Sequence, residues 1–212
     1  MNAKESLISE FKSWTINLKL SQVSFGTNDD PFSVFFGDVQ LGWIVPFTSL
    51  DISDEGKILL LSNWRNENRE FFLNSNEVNF ESTKEWLDCN VIKNELRELF
   101  WVVDLGKHYV GHIGVAFDEE NSYIELDSIL RGTSNVPGLM KHSIISLERI
   151  IARSLKVNRL YLRVLSQNDR AIKFYQHLGY QIQTKTKLNV KSEESSAPKR
   201  INIMHKEIRV ET

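Results

Sequence analysis

Apolar and polar positions along this chain switch between two rhythms. From Arg159 to Leu165 an apolar run with two arginines set into it reads as a strand. Apolar residues then recur at 171, 172, 174, 175 and 178, the stripe of a short helix. Asn168 stands where an N-cap belongs, and Gly179 where a helix ends in positive φ. Gln181-Ile182-Gln183 resumes a strand, expected over 180–188. Upstream, apolar positions 139, 140, 144, 147, 150, 151 and 155 predict a longer helix opened by Pro137. Strands are expected at Leu41–Phe47, Leu99–Asp104, His108–Phe117 and Ser122–Leu130, with Leu105-Gly106-Lys107 as a hairpin turn. Two helices fit between the first two of these, one from Ser53 or Asp54 to about Phe72, the other capped by Ser82 and running to about Leu96. A closing strand is expected at Ile201–Ile208, after a polar hairpin loop at Lys191–Lys199. Residues 1–40 are less regular. Leu7–Trp14 suits a short helix, Thr15–Val23 a strand, Gly26–Pro31 a turn cluster and Ser33–Phe36 a strand. The organisation expected is an N-terminal extension over 1–40, an added strand pair or dimer contact, before one domain over 41–212.

The order of elements from 41 onward is β-α-α-β-β-β-α-β-α-β-β. Alternating elements of this kind fit several α/β folds. The stretch Asn168-Asp169-Arg170-Ala171-Ile172-Lys173-Phe174-Tyr175-Gln176-His177-Leu178-Gly179-Tyr180, set between two strands, narrows the choice. It resembles the last part of the GCN5-related N-acetyltransferase (GNAT) fold, and the element order matches that family over about 41–210. Asn63-Trp64-Arg65-Asn66 resembles the first helix of its amino-sugar and ribosomal-protein branches. The resemblance implies an α/β fold with a mixed, mostly antiparallel central sheet of six to seven strands and about four helices on both faces. It also implies acetyl-CoA as cosubstrate, with Tyr175 beside its sulfur as the acid that protonates the leaving thiolate.

The loop after the strand at 122–130 is where the family holds the pyrophosphate of coenzyme A, on free amides at a helix start. Here it reads Arg131-Gly132-Thr133-Ser134-Asn135-Val136-Pro137-Gly138-Leu139-Met140, a loose match whose anion cradle is expected at Ser134–Met140. Gly132 and Gly138 can equally be ordinary turn glycines chosen for φ. With the resemblance, Ile129, Leu130, Arg131, Ser134, Asn135, Val136, Gly138, Leu139, Met140, Asn168, Ala171 and Phe174 are the expected cofactor-binding residues.

On the strand at 122–130, Glu125 and Asp127 share one face, because side chains alternate along a strand. Unpaired buried charge is costly, so these carboxylates need a role. The resemblance places them where an acceptor amine approaches, to orient its ammonium or take its proton. The structural alternative is an ion pair with Arg163, Arg65 or Arg69. Arg65 and His112 are expected acceptor contacts, with packing as the alternative for Trp64 and the helix carrying Trp86 and Leu87. His108 and His112 do not converge on a strand, so no metal site is expected.

Composition changes this picture little. A net charge of −2 gives no general attraction for nucleic acid. One cysteine, Cys89, allows no internal disulfide and favours a reducing compartment. No apolar run approaches the ~20 residues of a spanning helix, and no signal peptide is read at the start. The expectation is a cytoplasmic acetyltransferase, monomer or homodimer, acting on a small-molecule amine such as a nucleotide-linked amino sugar. A protein N-terminus as acceptor, or a non-catalytic acyl-CoA-binding module, are the alternatives.

Overall fold

The computed structural model describes residues 2–20, 32–133, 136–188 and 199–209. Eight strands form one sheet: β1 (Ser33–Phe36), β2 (Val39–Pro46), β3 (Arg97–Asp104), β4 (Tyr109–Asp118), β5 (Tyr123–Arg131), β6 (Arg159–Leu165), β7 (Gln181–Leu188) and β8 (Lys199–Glu207). Their spatial order is β1-β2-β3-β4-β5-β6-β8-β7. Every neighbouring pair is antiparallel except β5 with β6. The helices among the described residues are α1 (Ala3–Leu20), α2 (Glu55–Glu67), α3 (Phe80–Leu87), α4 (Leu139–Leu155) and α5 (Asp169–His177). The sheet is larger than the six to seven strands expected, because the β1–β2 hairpin extends it at one edge.

Two cores follow from the alternation of side chains across the strands. On one face Phe100, Val102, Val115, Ile124, Leu126 and Leu162 meet α1, α4 and α5. On the other, Trp43, Leu99, Trp101 and Val103 meet α2 and α3 through Ile58, Leu61, Trp64 and Leu87. Capping sets the helix starts. Asp54 accepts from the Lys57 amide, and Asn168 accepts from the Ala171 amide at 3.0 Å. Ser82 is not the cap of α3. Asn79 is, and Ser82 closes the reciprocal half of a capping box. That helix ends at Leu87 in a π-helical turn over Asp88–Ile92. Trp86 and Leu87, one position apart, separate accordingly: Leu87 is core and Trp86 is exposed.

The N-terminal segment is part of this core. α1 runs unbroken from Ala3 to Leu20, so the strand expected at Thr15–Val23 is helix as far as residue 20, and the rest lies outside the described residues. The alternation of Ile16 and Leu18 competes there with a helical stripe of Phe11, Trp14, Thr15 and Leu18, and the stripe prevails. Phe11 is fully buried and packs on Phe117, while Trp14 packs on Phe100. The Thr15 hydroxyl donates to Glu95 O at 2.8 Å, and Lys19 Nζ donates to Val91 O at 2.6 Å and Asn94 O at 2.8 Å. Val34 of β1 is also buried in this core.

Candidate active site

The site begins with an irregularity in β5. Gly114 of β4 faces Asp127 and His112 faces Leu130, so Ile113 alone is matched by both Ser128 and Ile129. The extra residue is a bulge, and Ser128 sits at φ +44°, a left-handed conformation rare for a residue with a Cβ. Bulges bend a strand and re-aim its groups. Beyond this point β5 leaves its neighbour. β5 and β6 pair only at Glu125–Tyr161 and Leu126–Leu162. Residues 127–131 and 163–165 then form the two arms of a fork, whose main-chain groups lack a strand partner across it. Buried backbone polar groups call for partners, so the fork suits an extended polar chain laid between the strands.

Asp127 and Arg163 are the first residues past the last pair, on the sheet face that carries α2 and α3 elsewhere. Arg163 Nε donates to Glu125 Oε1 at 2.8 Å. Arg97 Nη2 stands 2.8 Å from Asp127 Oδ2. The partner expected for Glu125, Arg163, is thus found, whereas Arg65 and Arg69 lie elsewhere and Arg97 was not foreseen. Burial pushes the Glu125 carboxyl above its ordinary value, against the opposing pull of Arg163. Burial likewise raises Asp127, opposed by Arg97 and then Arg163. Asp127 Oδ1 is buried without a hydrogen-bond partner.

Tyr175 lies on the opposite face, in the core that also holds Leu126, Leu162 and Val164. Burial raises its hydroxyl well above the ordinary tyrosine value, so it stays protonated. Its ring meets Phe174 and Tyr180 edge-on, at 5.5 Å and 6.2 Å between centroids. Tyr180 donates to Glu148 Oε1 at 2.9 Å, and Lys206 Nζ bonds Glu148 Oε2 at 2.5 Å. This hydrogen-bonded trio on α4, β8 and the turn after α5 fixes the ground on which Tyr175 rests. Ala171 and Phe174 pack against the same core, and Asn168 is used as the helix cap.

Of the loop residues, Ser134 and Asn135 lie outside the described residues. The two glycines divide in role. Gly138 has φ +80° and directly precedes α4, whose start carries no side-chain cap. Gly132 is chosen for space instead: a Cβ there would lie 1.9 Å from the Trp64 ring. Its amide donates to Val110 O at 3.0 Å, tying the loop to β4. Leu139 and Met140 turn their side chains into the core and Leu130 is buried against the Trp64 cluster. These three could therefore meet a cofactor only through their backbone. Ile129 and Val136 are half-buried, and Arg131 is exposed.

The two expected acceptor contacts are placed differently. His112 is buried, its ring stacked with Trp64 at 6.4 Å. Burial depresses its pKa to about 4, so it is a neutral interior residue rather than part of an open wall. Arg65 donates to Asn74 O and lies 3.8 Å over the Phe72 ring, in the segment joining α2 to α3. Lys199 of β8 reaches that same segment, donating to Phe72 O at 3.0 Å. Neither Lys199 nor Arg97 carries a sequence signal, since each role depends on a partner far along the chain.

The family model described as Acetyltransferase (GNAT) family matches residues 61–180. A search of curated proteins finds no significant match. Among solved structures, RimL, a ribosomal alpha-N-protein acetyltransferase in complex with coenzyme A, superposes with a TM-score of 0.59 at 12% identity, over 74% of this chain and 92% of that one. The ribosomal-protein-alanine N-acetyltransferase from Brucella melitensis gives 0.58 at 17% identity, over 78% and 99%. FdhC, a nucleotide-linked sugar GNAT, gives 0.56 at 14% identity, over 77% and 85%. At these identities the likeness is one of fold.

Proposed function

We propose, from the premise that this chain belongs to the acetyltransferase (GNAT) family, that the β5–β6 fork is where it transfers an acetyl group from acetyl-CoA to a small primary amine. The observation that carries this reading is the fork itself, with Tyr175 on one face and the Asp127 carboxylate on the other. Acetyl-CoA supplies an activated thioester carbonyl. The backbone of 127–131 would hold its arm, and main-chain amides at Gly138–Met140 its pyrophosphate. An ammonium has no lone pair, so the acceptor must first lose a proton. We assign this step to Asp127, the first residue past the last pair, whose carboxyl burial raises above its ordinary value. Glu125, one pair deeper, is engaged by Arg163. Backbone N–H groups at the bulge would stabilise the oxyanion. Tyr175, kept protonated by burial, would hydrogen-bond the leaving thiolate, whose conjugate acid has a pKa of about 8.5, and the proton shed by the nitrogen as the amide forms would neutralise that thiolate.

The charge of the acceptor face bears on the substrate. Its two carboxylates are each matched by an arginine, Glu125 by Arg163 and Asp127 by Arg97. Asp118 beside Arg163 leaves one carboxylate beyond the two pairs, a weak field for a polycation. A monoamine on a neutral or anionic body fits better, a nucleotide-linked amino sugar among them. Coenzyme A release should be followed with acetyl-CoA and three acceptors: a nucleotide-linked amino sugar, a peptide with a free N-terminal alanine, and spermidine. Turnover confined to the amino sugar is expected. Preference for spermidine would refute the charge argument, and acetyl-CoA binding without turnover on any amine would make the chain a binding module.

A further inference from the structure

Asp127 and its arginine stand on strands that are not neighbours. Arg97 is on β3 and Asp127 on β5, with the whole of β4 between them. The register explains how they meet. Arg97 faces Ala116, and Gly114 faces Asp127. On this face β4 therefore offers only a methyl group and a bare glycine, and the guanidinium crosses it to reach Asp127 Oδ2 at 2.8 Å. The glycine is required: a Cβ on Gly114 would lie 2.1 Å from Asp127 Oδ1 and 3.0 Å from Asp127 O. The far end of Arg97 is steadied by α3, its guanidinium carbon lying 5.8 Å from the Trp86 ring centre. Trp86 is itself 39% exposed, so a large apolar side chain is left in water at the place where Arg97 needs a flat partner. Three strands and a helix thus converge on one carboxylate.

We infer that Arg97 is a positioning residue for the transfer reaction: laid across β4 at Ala116 and Gly114 and backed by Trp86, it holds Asp127 Oδ2 and so sets the rotation of the carboxylate that takes the acceptor's proton. This rests on the reading of Asp127 given above. Holding one oxygen fixes the rotation of the carboxylate, and a group kept in reacting geometry is worth far more than one that must be found each time. The polar and charged groups facing Asp127 are Arg97 from β3, Arg163 from β6, and Glu125 and Ser128 of its own strand. Removing Arg97 leaves Arg163 already committed to Glu125, so no neighbour replaces it.

The test is a carbon-13 titration of the Asp127 carboxyl in wild type and Arg97→Met, joined to kinetics on Asp127→Asn, Arg97→Met and Gly114→Ala with acetyl-CoA and whichever of the three acceptors named above turns over fastest. Loss of an adjacent arginine should move the Asp127 midpoint up by about one unit or more. The acidic limb of kcat/KM should move with it, kcat should fall and the acetyl-CoA KM should hold. Gly114→Ala keeps both charges but displaces the carboxylate, and should reproduce the fall in kcat if Arg97→Met does not fold. Lys12→Gln, at an exposed ion pair on α1, should change none of these. An unmoved midpoint, or a moved midpoint with unchanged kcat, overturns the role given to Arg97. Wild-type kcat in Asp127→Asn overturns instead the reading of Asp127 on which it rests.

Discussion

At the scale of single residues, burial and partner together decide what each ionisable group can do. Glu98 shows this away from the site. It is fully buried on β3, one oxygen accepts from the Leu99 amide at 3.0 Å and the other has no partner. Burial raises its pKa to about 8, against the pull of Lys19. A carboxyl whose folded pKa is raised contributes stability below its unfolded value that is lost as pH climbs toward the folded one. Urea melts should therefore show stability falling between about pH 4.5 and 8. Glu98→Gln should flatten that slope and gain about 1–3 kcal/mol at pH 8, and an unchanged slope would assign it to another group. Tyr175→Phe should lower kcat by about 100-fold with little change in acetyl-CoA affinity. Full kcat would reduce Tyr175 to a packing residue. Tyr175, Asn168 and the Glu125–Arg163 pair were legible in the sequence because each lies in or beside a local pattern. Arg97 was not, because its reach depends on which small residues β4 places in its path.

At the scale of elements, the strands and helices from β2 to β8 followed their periodicities closely, while helix starts shifted by a few residues where a cap competed with another. Ser82 and Asn79 are three apart and each is a good capping residue, so pattern alone chose the wrong one. α1 was harder, since a half-buried helix with short apolar spacing also reads as alternation. Its contribution can be measured. Phe11→Ala should cost about 3–5 kcal/mol, the range for emptying a buried aromatic site, and a cost near zero would mean α1 is dispensable to the core. The loop after β5 hid a steric requirement behind a familiar residue. Gly132 lies against the Trp64 ring, so Gly132→Ala must push that ring away from its neighbours Trp101 and His112. Overpacking of this kind costs about 1–3 kcal/mol, and a melting curve equal to wild type would show that the ring yields freely.

At the scale of the whole molecule, one sheet brings two chemistries to opposite sides of a single opening. The bulge at Ser128 turns β5 aside, the fork opens, a helix on one face carries a buried phenol, and β5 itself carries an arginine-held carboxylate on the other. Among the described residues no helix is long and apolar enough to cross a membrane. The α2–α3 segment is joined to β8 through the Lys199 bond to Phe72 O. The most direct test is a backbone amide NMR titration with acetyl-CoA. The amides expected to move are those of residues 127–131, 163–165, 138–140 and 168–175, the two arms of the fork and the helix starts beside it. Shifts confined to other surfaces, with these amides still, would contradict the fork as the cofactor's place.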